Sequence, residues 1–177
     1  MRSISWVTAG ITVSAFALVA CQSNANEACA DLASFTLQDM RIKTTEQVDD
    51  GTPHCKVAGV IEKEINFELL LPNDWNGRFM MGGGGAYVGS IQNQALAYGS
   101  GPGALERGYA TAGTDTGHVS SMVDGSWALN NVERQKNFGH RAVHLTAVTA
   151  KAIIERYYAR APEYSYFVGC SRGGGQA

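Results

Sequence analysis

Ser171 stands between two glycines in Gly169-Cys170-Ser171-Arg172-Gly173, and the apolar run Tyr164-Ser165-Tyr166-Phe167-Val168 leads straight into it. A serine hydroxyl is a weak nucleophile by itself. G-x-S-x-G after a strand is the pattern of a tight strand-to-helix turn that lifts the hydroxyl clear of a sheet. The glycines then have a mechanical reason: at a strained turn, side chains two positions from the serine would collide with the neighbouring strand or helix. The same turn aims the Arg172 backbone N–H at the place where an oxyanion would form. An ordinary Gly/Ser-rich loop can carry the same five letters. The strand before them and a glycine run far upstream favour a nucleophilic serine.

That glycine run, Gly82-Gly83-Gly84-Gly85, follows the short apolar stretch Arg78-Phe79-Met80-Met81. Bare backbone lets a ligand approach closely, and two uses compete. A phosphate cradle wants Gly-Lys-Ser/Thr, or G-x-G-x-x-G opening a helix. Ala86-Tyr87-Val88-Gly89 supplies no lysine. The other use is a second oxyanion donor from the Gly83 or Gly84 N–H, worth about 3 kcal/mol of transition-state stabilisation, although no histidine precedes the glycines. Asp115 and His118 form a D-x-x-H pair at a strand end, and His140 and His144 lie one helical turn apart. Two ligands do not make a metal site. The first pair is expected to hydrogen-bond locally and shape the floor of the site, and no metal is assigned.

These residues need elements to hold them. Phe35–Ile42, Lys56–Ile61, Ile65–Leu71, Arg78–Met81, Tyr109–Gly113 and Tyr164–Val168 read as strands. Gly139–Arg160 reads as the one long helix, with Val143, Ala147, Ala150, Ile154 and Tyr157 on the face toward a sheet. Glu46–Pro53 and Ser120–Asn137 read as polar loops, and Pro162 follows the helix. Short strands alternating with helices predict an α/β fold, with a mostly parallel sheet entered by an antiparallel N-terminal hairpin. With 177 residues, 45% of them hydrophobic, and a formal charge of −2, the chain suits one globular unit and excludes a mainly disordered one. It contains no basic run, so no nucleic-acid partner is expected.

The N-terminus reads as an export signal. Arg2 is the only charge before Glu27, Ile4–Ala20 is apolar, and Leu18-Val19-Ala20-Cys21 has the form of a bacterial lipobox. On that reading residues 1–20 are removed, Cys21 carries lipid, residues 21–32 are a tether and residues 33–177 are the folded portion. The rival is ordinary secretion with cleavage after Ala25. Either route permits disulfides. Cys29 and Cys55 both lie in the N-terminal region and flank a strand-like stretch, so they are the expected pair. Cys170 is then left with a partner beyond Ala177, or as a buried free thiol.

Taken together, Pro72-x-x-Trp75-Asn76-Gly77-Arg78-Phe79, the Gly82–Gly85 run, Thr114-Asp115-Thr116-Gly117-His118, Asn137-Phe138-Gly139-His140-Arg141-Ala142-Val143-His144 and Tyr166-Phe167-x-Gly169-Cys170-Ser171-x-Gly173-Gly174 resemble the tannase/feruloyl esterase family. The family also includes a mono(2-hydroxyethyl) terephthalate hydrolase. The resemblance runs from about Cys29 to Ala177. It implies an α/β-hydrolase fold and a serine esterase acting on esters of aromatic acids such as ferulate or gallate, with Ser171 as nucleophile. It also implies that Cys170 is disulfide-bonded to a cysteine beside the catalytic histidine. A lid domain with a structural calcium belongs to the family and has no counterpart in this chain. Gly175 departs from the arginine that the family often carries there.

In α/β-hydrolases the acid and base follow the serine. His54, His118, His140 and His144 all precede Ser171. The chain is therefore expected to be the N-terminal part of the fold, inactive alone for want of the triad Asp and His. The expected partners are an aromatic ester and, through lipid on Cys21, a membrane; oligomeric state is left open. The alternatives are a general carboxylesterase or lipase, and a non-catalytic truncated surface lipoprotein.

Overall fold

The computed structural model describes residues 25–97 and 99–177. Residues 1–24, with the expected export signal and Cys21, lie outside them. Seven strands form one sheet: β1 (Thr36–Leu37), β2 (Met40–Val48), β3 (His54–Ile61), β4 (Ile65–Pro72), β5 (Arg78–Gly82), β6 (Ala110–Thr114) and β7 (Tyr164–Val168), in the order β1-β2-β3-β4-β6-β5-β7. In β4 the residues Ile65, Phe67, Leu69 and Leu71 are wholly buried at every second position, the strand period that lays one apolar face on a core.

The sheet is mixed. Strands β1 to β4 form an antiparallel meander, β6 joins β4 antiparallel, and only β5 runs parallel to its neighbours β6 and β7. The antiparallel part therefore reaches further than the expected entry hairpin. The reason lies in the order of connection. After β4 the chain skips one position to lay down β5, and β6 then returns into the gap.

The expected tether over residues 21–32 is folded from residue 25 onward. Residues 25–31 form a helix, α1, followed by a 3-10 turn at Leu32–Ser34. Cys29 and Leu32 are buried in the main core, and Cys29 is disulfide-bonded to Cys55 on β3, with Cα atoms 5.6 Å apart. A segment with one buried leucine and one crosslink to the sheet is part of the domain, despite its polar composition.

Strand β2 runs on to Val48, into the stretch read as a polar loop, because its backbone pairs along the whole of β3. The long helix also starts earlier than expected. Asn131 caps α2 (Val132–Lys136) by accepting the Arg134 N–H, a π-helical turn spans Asn137–Arg141, and α3 (Ala142–Tyr158) follows. It ends where Ala159 turns left-handed at φ 55°. Its buried face is Ala142, Thr146, Thr149, Ala150, Ile153 and Ile154, rotated from the expected stripe. Apolar periodicity undercounts threonine, whose methyl group packs like that of valine.

The far end of α3 is clamped by the Pro72–Arg78 turn. Tyr158 stacks on Trp75 at 4.1 Å and donates to the Pro72 carbonyl at 2.6 Å, while the Arg160 guanidinium covers the same indole at 4.7 Å. Burial raises the Tyr158 phenol well above its ordinary value.

Candidate active site

The parallel strands end level. Gly82 pairs with Val168 and Met81 with Ala112, so the glycine run, the Asp115–His118 segment and the Ser171 turn leave the sheet along one edge. That edge, beyond the carboxyl ends of parallel strands, is where open α/β sheets bind ligands. Backbone strain gathers there as well. Ser171 has φ 57° and ψ −122°, while Ala86, Val88 and Thr116 hold φ of 50°, 58° and 64°. Positive φ is costly for β-branched residues, and such strain collects at functional sites.

Ser171 is exposed at the head of α4 (Arg172–Gln176). The glycines around it are needed for contact. A Cβ on Gly169 would run into the Gly173 carbonyl group. One on Gly83 would lie 2.6 Å from the Gly173 Cα, and one on Gly173 would lie 2.7 Å from Gln94 Oε1. The glycine run and the serine turn thus pack backbone on backbone.

Three amides of the glycine run are already engaged. The Gly83 N–H donates to the Val168 carbonyl at 2.9 Å, Gly84 to Gln176 Oε1 at 3.0 Å and Gly85 to Gln92 Oε1 at 2.7 Å. This removes Gly83 from the expected alternative of Gly83 or Gly84 as oxyanion donor, because its N–H is spent on a rigid backbone partner. The partner of the Gly84 N–H is a side chain rather than backbone. The Arg172 N–H opens α4 and has no partner among the described residues, as expected of a helix N-terminus.

Arg172 itself turns away from the turn. Its guanidinium lies 4.1 Å over the Phe138 ring and donates to the Phe138 carbonyl at 2.7 Å. Phe138 contacts Trp127 at 5.1 Å and Tyr87 at 6.2 Å, making an aromatic cluster that abuts the Arg172 side chain. Tyr87 is half-exposed, just past the glycine run. Its carbonyl is held by His118 Nε2 at 2.9 Å, and the His118 ring stacks on Trp127 at 3.7 Å. Burial lowers the His118 pKa, so its neutral form is favoured. Asp115 accepts from the Asn66 N–H at 3.0 Å, from Asn66 Nδ2 at 2.6 Å and from the Gly117 N–H at 2.8 Å; burial raises its pKa against those bonds. Asp115 thereby ties β4 to the end of β6.

No histidine hydrogen-bonds Ser171 among the described residues. His118 is buried in its stack, His140 and His144 are exposed on the helix, and His54 Nδ1 lies 2.7 Å from the Thr52 carbonyl. Among the described residues no group of three or more His, Cys, Asp or Glu is placed to hold a metal. A hollow of about 640 Å³ lies between the β3–β4 turn and the π-helical turn, lined by Arg41, Glu62, Lys63, Glu64 and Asn137 among others. It includes no residue of the glycine run or the serine turn.

Sequence reading passed over the glutamines. Gln92 and Gln176 hold the Gly85 and Gly84 amides, and Gln94 holds Cys170. The available signal was Gln92-Asn93-Gln94, three consecutive amides between two glycine-bearing strand ends.

A family model described as tannase and feruloyl esterase matches residues 49–177. The chain belongs to the tannase and feruloyl esterase family. It is 35% identical to an uncharacterized esterase of Xanthomonas campestris pv. campestris over 94% of this chain and 31% of that one. It is 37% identical to the mono(2-hydroxyethyl) terephthalate hydrolase of Piscinibacter sakaiensis over 68% of this chain and 23% of that one. A crystal structure of an esterase from Aspergillus oryzae superposes with a TM-score of 0.77 at 28% identity, covering 86% of this chain and 34% of that one. The sheet is accordingly the N-terminal part of an α/β-hydrolase fold. The chain spans about a quarter to a third of the length of these relatives.

Proposed function

We propose that the chain is the nucleophile-bearing part of an exported serine esterase that hydrolyses esters of aromatic acids, feruloyl and galloyl esters among them. The observation that carries this reading is the exposed Ser171 at φ 57°, held between Gly169 and Gly173 against the glycine run, with the Arg172 N–H unpartnered beside it. Ser171 Oγ attacks the ester carbonyl and gives its proton to an imidazole contributed from outside the described residues. The carbonyl oxygen becomes an oxyanion, held by the Arg172 N–H and the Gly84 N–H once Gln176 has swung aside. The alcohol leaves with the proton, and water then releases the acid from the acyl-serine.

The aromatic preference is supported by the family and by the Tyr87–Phe138–Trp127 cluster next to Arg172. Export is supported by the Cys29–Cys55 disulfide, with lipid on Cys21 as the membrane anchor. Cys170 is exposed with a free thiol, which supports reading it as one half of the disulfide beside the catalytic histidine that the family resemblance implies.

The test is turnover of methyl ferulate and methyl gallate by the intact protein and its Ser171→Ala variant, beside simple alkyl esters. The variant is expected to lose at least ~10⁴-fold in kcat with its fold unchanged. Undiminished turnover by Ser171→Ala ends the serine-esterase reading, and equal rates on alkyl esters make the protein a general carboxylesterase.

A further inference from the structure

Resting on that reading, we propose that Gln94 is a positioning residue of the oxyanion site, clamping the peptides beside the nucleophile to the peptide that carries the second donor. Three bonds converge on this residue. The Cys170 N–H donates to Gln94 Oε1 at 2.6 Å, Gln94 Nε2 donates to the Cys170 carbonyl at 3.4 Å, and the Gln94 backbone N–H donates to the Gly83 carbonyl at 3.1 Å. The side-chain amide thus grips both peptides flanking Cys170, the second of which leads into Ser171. The backbone bond ends on the carbonyl of the 83–84 peptide, whose other face presents the Gly84 N–H. One residue therefore sets the distance between nucleophile and donor. It also polarises the donor peptide, since a hydrogen bond to a carbonyl strengthens donation by the N–H of the same amide.

Gln94 is itself held. It opens the 3-10 turn Gln94–Leu96, where Asn93 Oδ1 accepts the Ala95 N–H at 3.1 Å and Asn93 Nδ2 donates to Thr111 Oγ1 on β6 at 2.9 Å. Ala95 is buried, and its carbonyl accepts the Ala104 N–H at 2.9 Å. Glycines make the room: a Cβ on Gly173 would press on Gln94 Oε1 at 2.7 Å, and one on Gly82 would overlap Asn93 Oδ1. Preorganised donors aimed at a developing charge supply much of the catalysis in acyl transfer, and a displacement of about 1 Å costs on the order of 10²-fold.

The experiment uses the intact protein with Gln94→Leu, which keeps the bulk and loses both side-chain bonds, and Gln94→Glu, which keeps the acceptor for the Cys170 N–H. Turnover of methyl ferulate is measured with thermal stability, affinity for an arylboronic acid, whose serine adduct places an oxygen where the oxyanion forms, and affinity for ferulate. Gln94→Leu is expected to lower kcat on the order of 10²-fold with KM within about twofold. Boronate affinity should fall alongside kcat while ferulate affinity holds, and Gln94→Glu should restore most of both. Wild-type kcat in Gln94→Leu overturns the proposal, as does a loss of kcat with boronate affinity intact or with no rescue by Gln94→Glu. An active, Ser171-dependent enzyme indifferent to Gln94 sinks this inference alone, whereas Ser171-independent turnover sinks the reading beneath it.

Discussion

At Ser171 the backbone adopts a conformation that an L-residue enters only under constraint, and the constraint is visible in the glycines that let the turn close. Among the neighbouring titratable groups, Asp115 and His118 are tied to the frame by hydrogen bonds. His118 is the clearest case. Burial holds its folded-state pKa below 6.5, so the unfolded chain takes up a proton first as pH falls. Its contribution to stability is therefore complete above 6.5 and is lost as pH drops through the window below that value. His118→Phe keeps a ring on Trp127 but cannot titrate. Denaturant midpoints measured between about pH 8 and pH 5 should fall less steeply for this variant than for the wild type. Parallel slopes would remove His118 from the acid response.

Among the elements, the N-terminal helix and meander are attached by the Cys29–Cys55 bond, which closes a sequence separation of 26 residues. On the chain-entropy account, replacing both cysteines by serine should cost about 3 to 3.5 kcal/mol. Cys55 pairs with Leu71, near the end of β4, whereas Phe67 pairs with Thr114 at the site edge. The bond thus lies toward the edge of the sheet away from Ser171. The Cys29→Ser/Cys55→Ser protein should accordingly show a lowered unfolding midpoint and an unchanged kcat at low temperature. A fall in kcat with no change in midpoint would contradict that separation of roles.

For the whole molecule, β7 is an edge strand of the sheet, at the end opposite the two-residue β1. It pairs with β5 on one side only among the described residues, and Tyr164 and Tyr166 are 57% and 43% exposed. An unpaired, aromatic edge is a template for strand addition by another chain. Residues 21–177 expressed alone are predicted to self-associate and to turn over neither methyl ferulate nor methyl gallate, with Tyr166→Lys reducing the association. Light scattering and the ester assay check this together. A monomeric fragment with Ser171-dependent turnover would mean that His118, His140 or His144 reaches the serine after all.

Local covalent constraints were legible in the sequence. Gly169-x-Ser171-x-Gly173 after an apolar run specifies a strained turn because no other residues close it, and four glycines after a strand specify bare backbone. The runs Lys56–Ile61 and Ile65–Leu71, separated by Glu62-Lys63-Glu64, read as an antiparallel strand pair because turn residues between two apolar runs are a local signal. Long-range pairing was decided only in three dimensions. The return of β6 between β4 and β5 makes the sheet mixed, and it depends on connections that local periodicity does not encode. The Gly83 N–H meets the Val168 carbonyl across 85 positions of sequence (from 83 to 168), a pairing no local pattern announces. Gln94 was invisible for the same reason. A glutamine is an unremarkable polar residue until folding sets its amide against Cys170 and its backbone against Gly83, and hydrogen-bond partners so far apart in the chain leave no periodic trace.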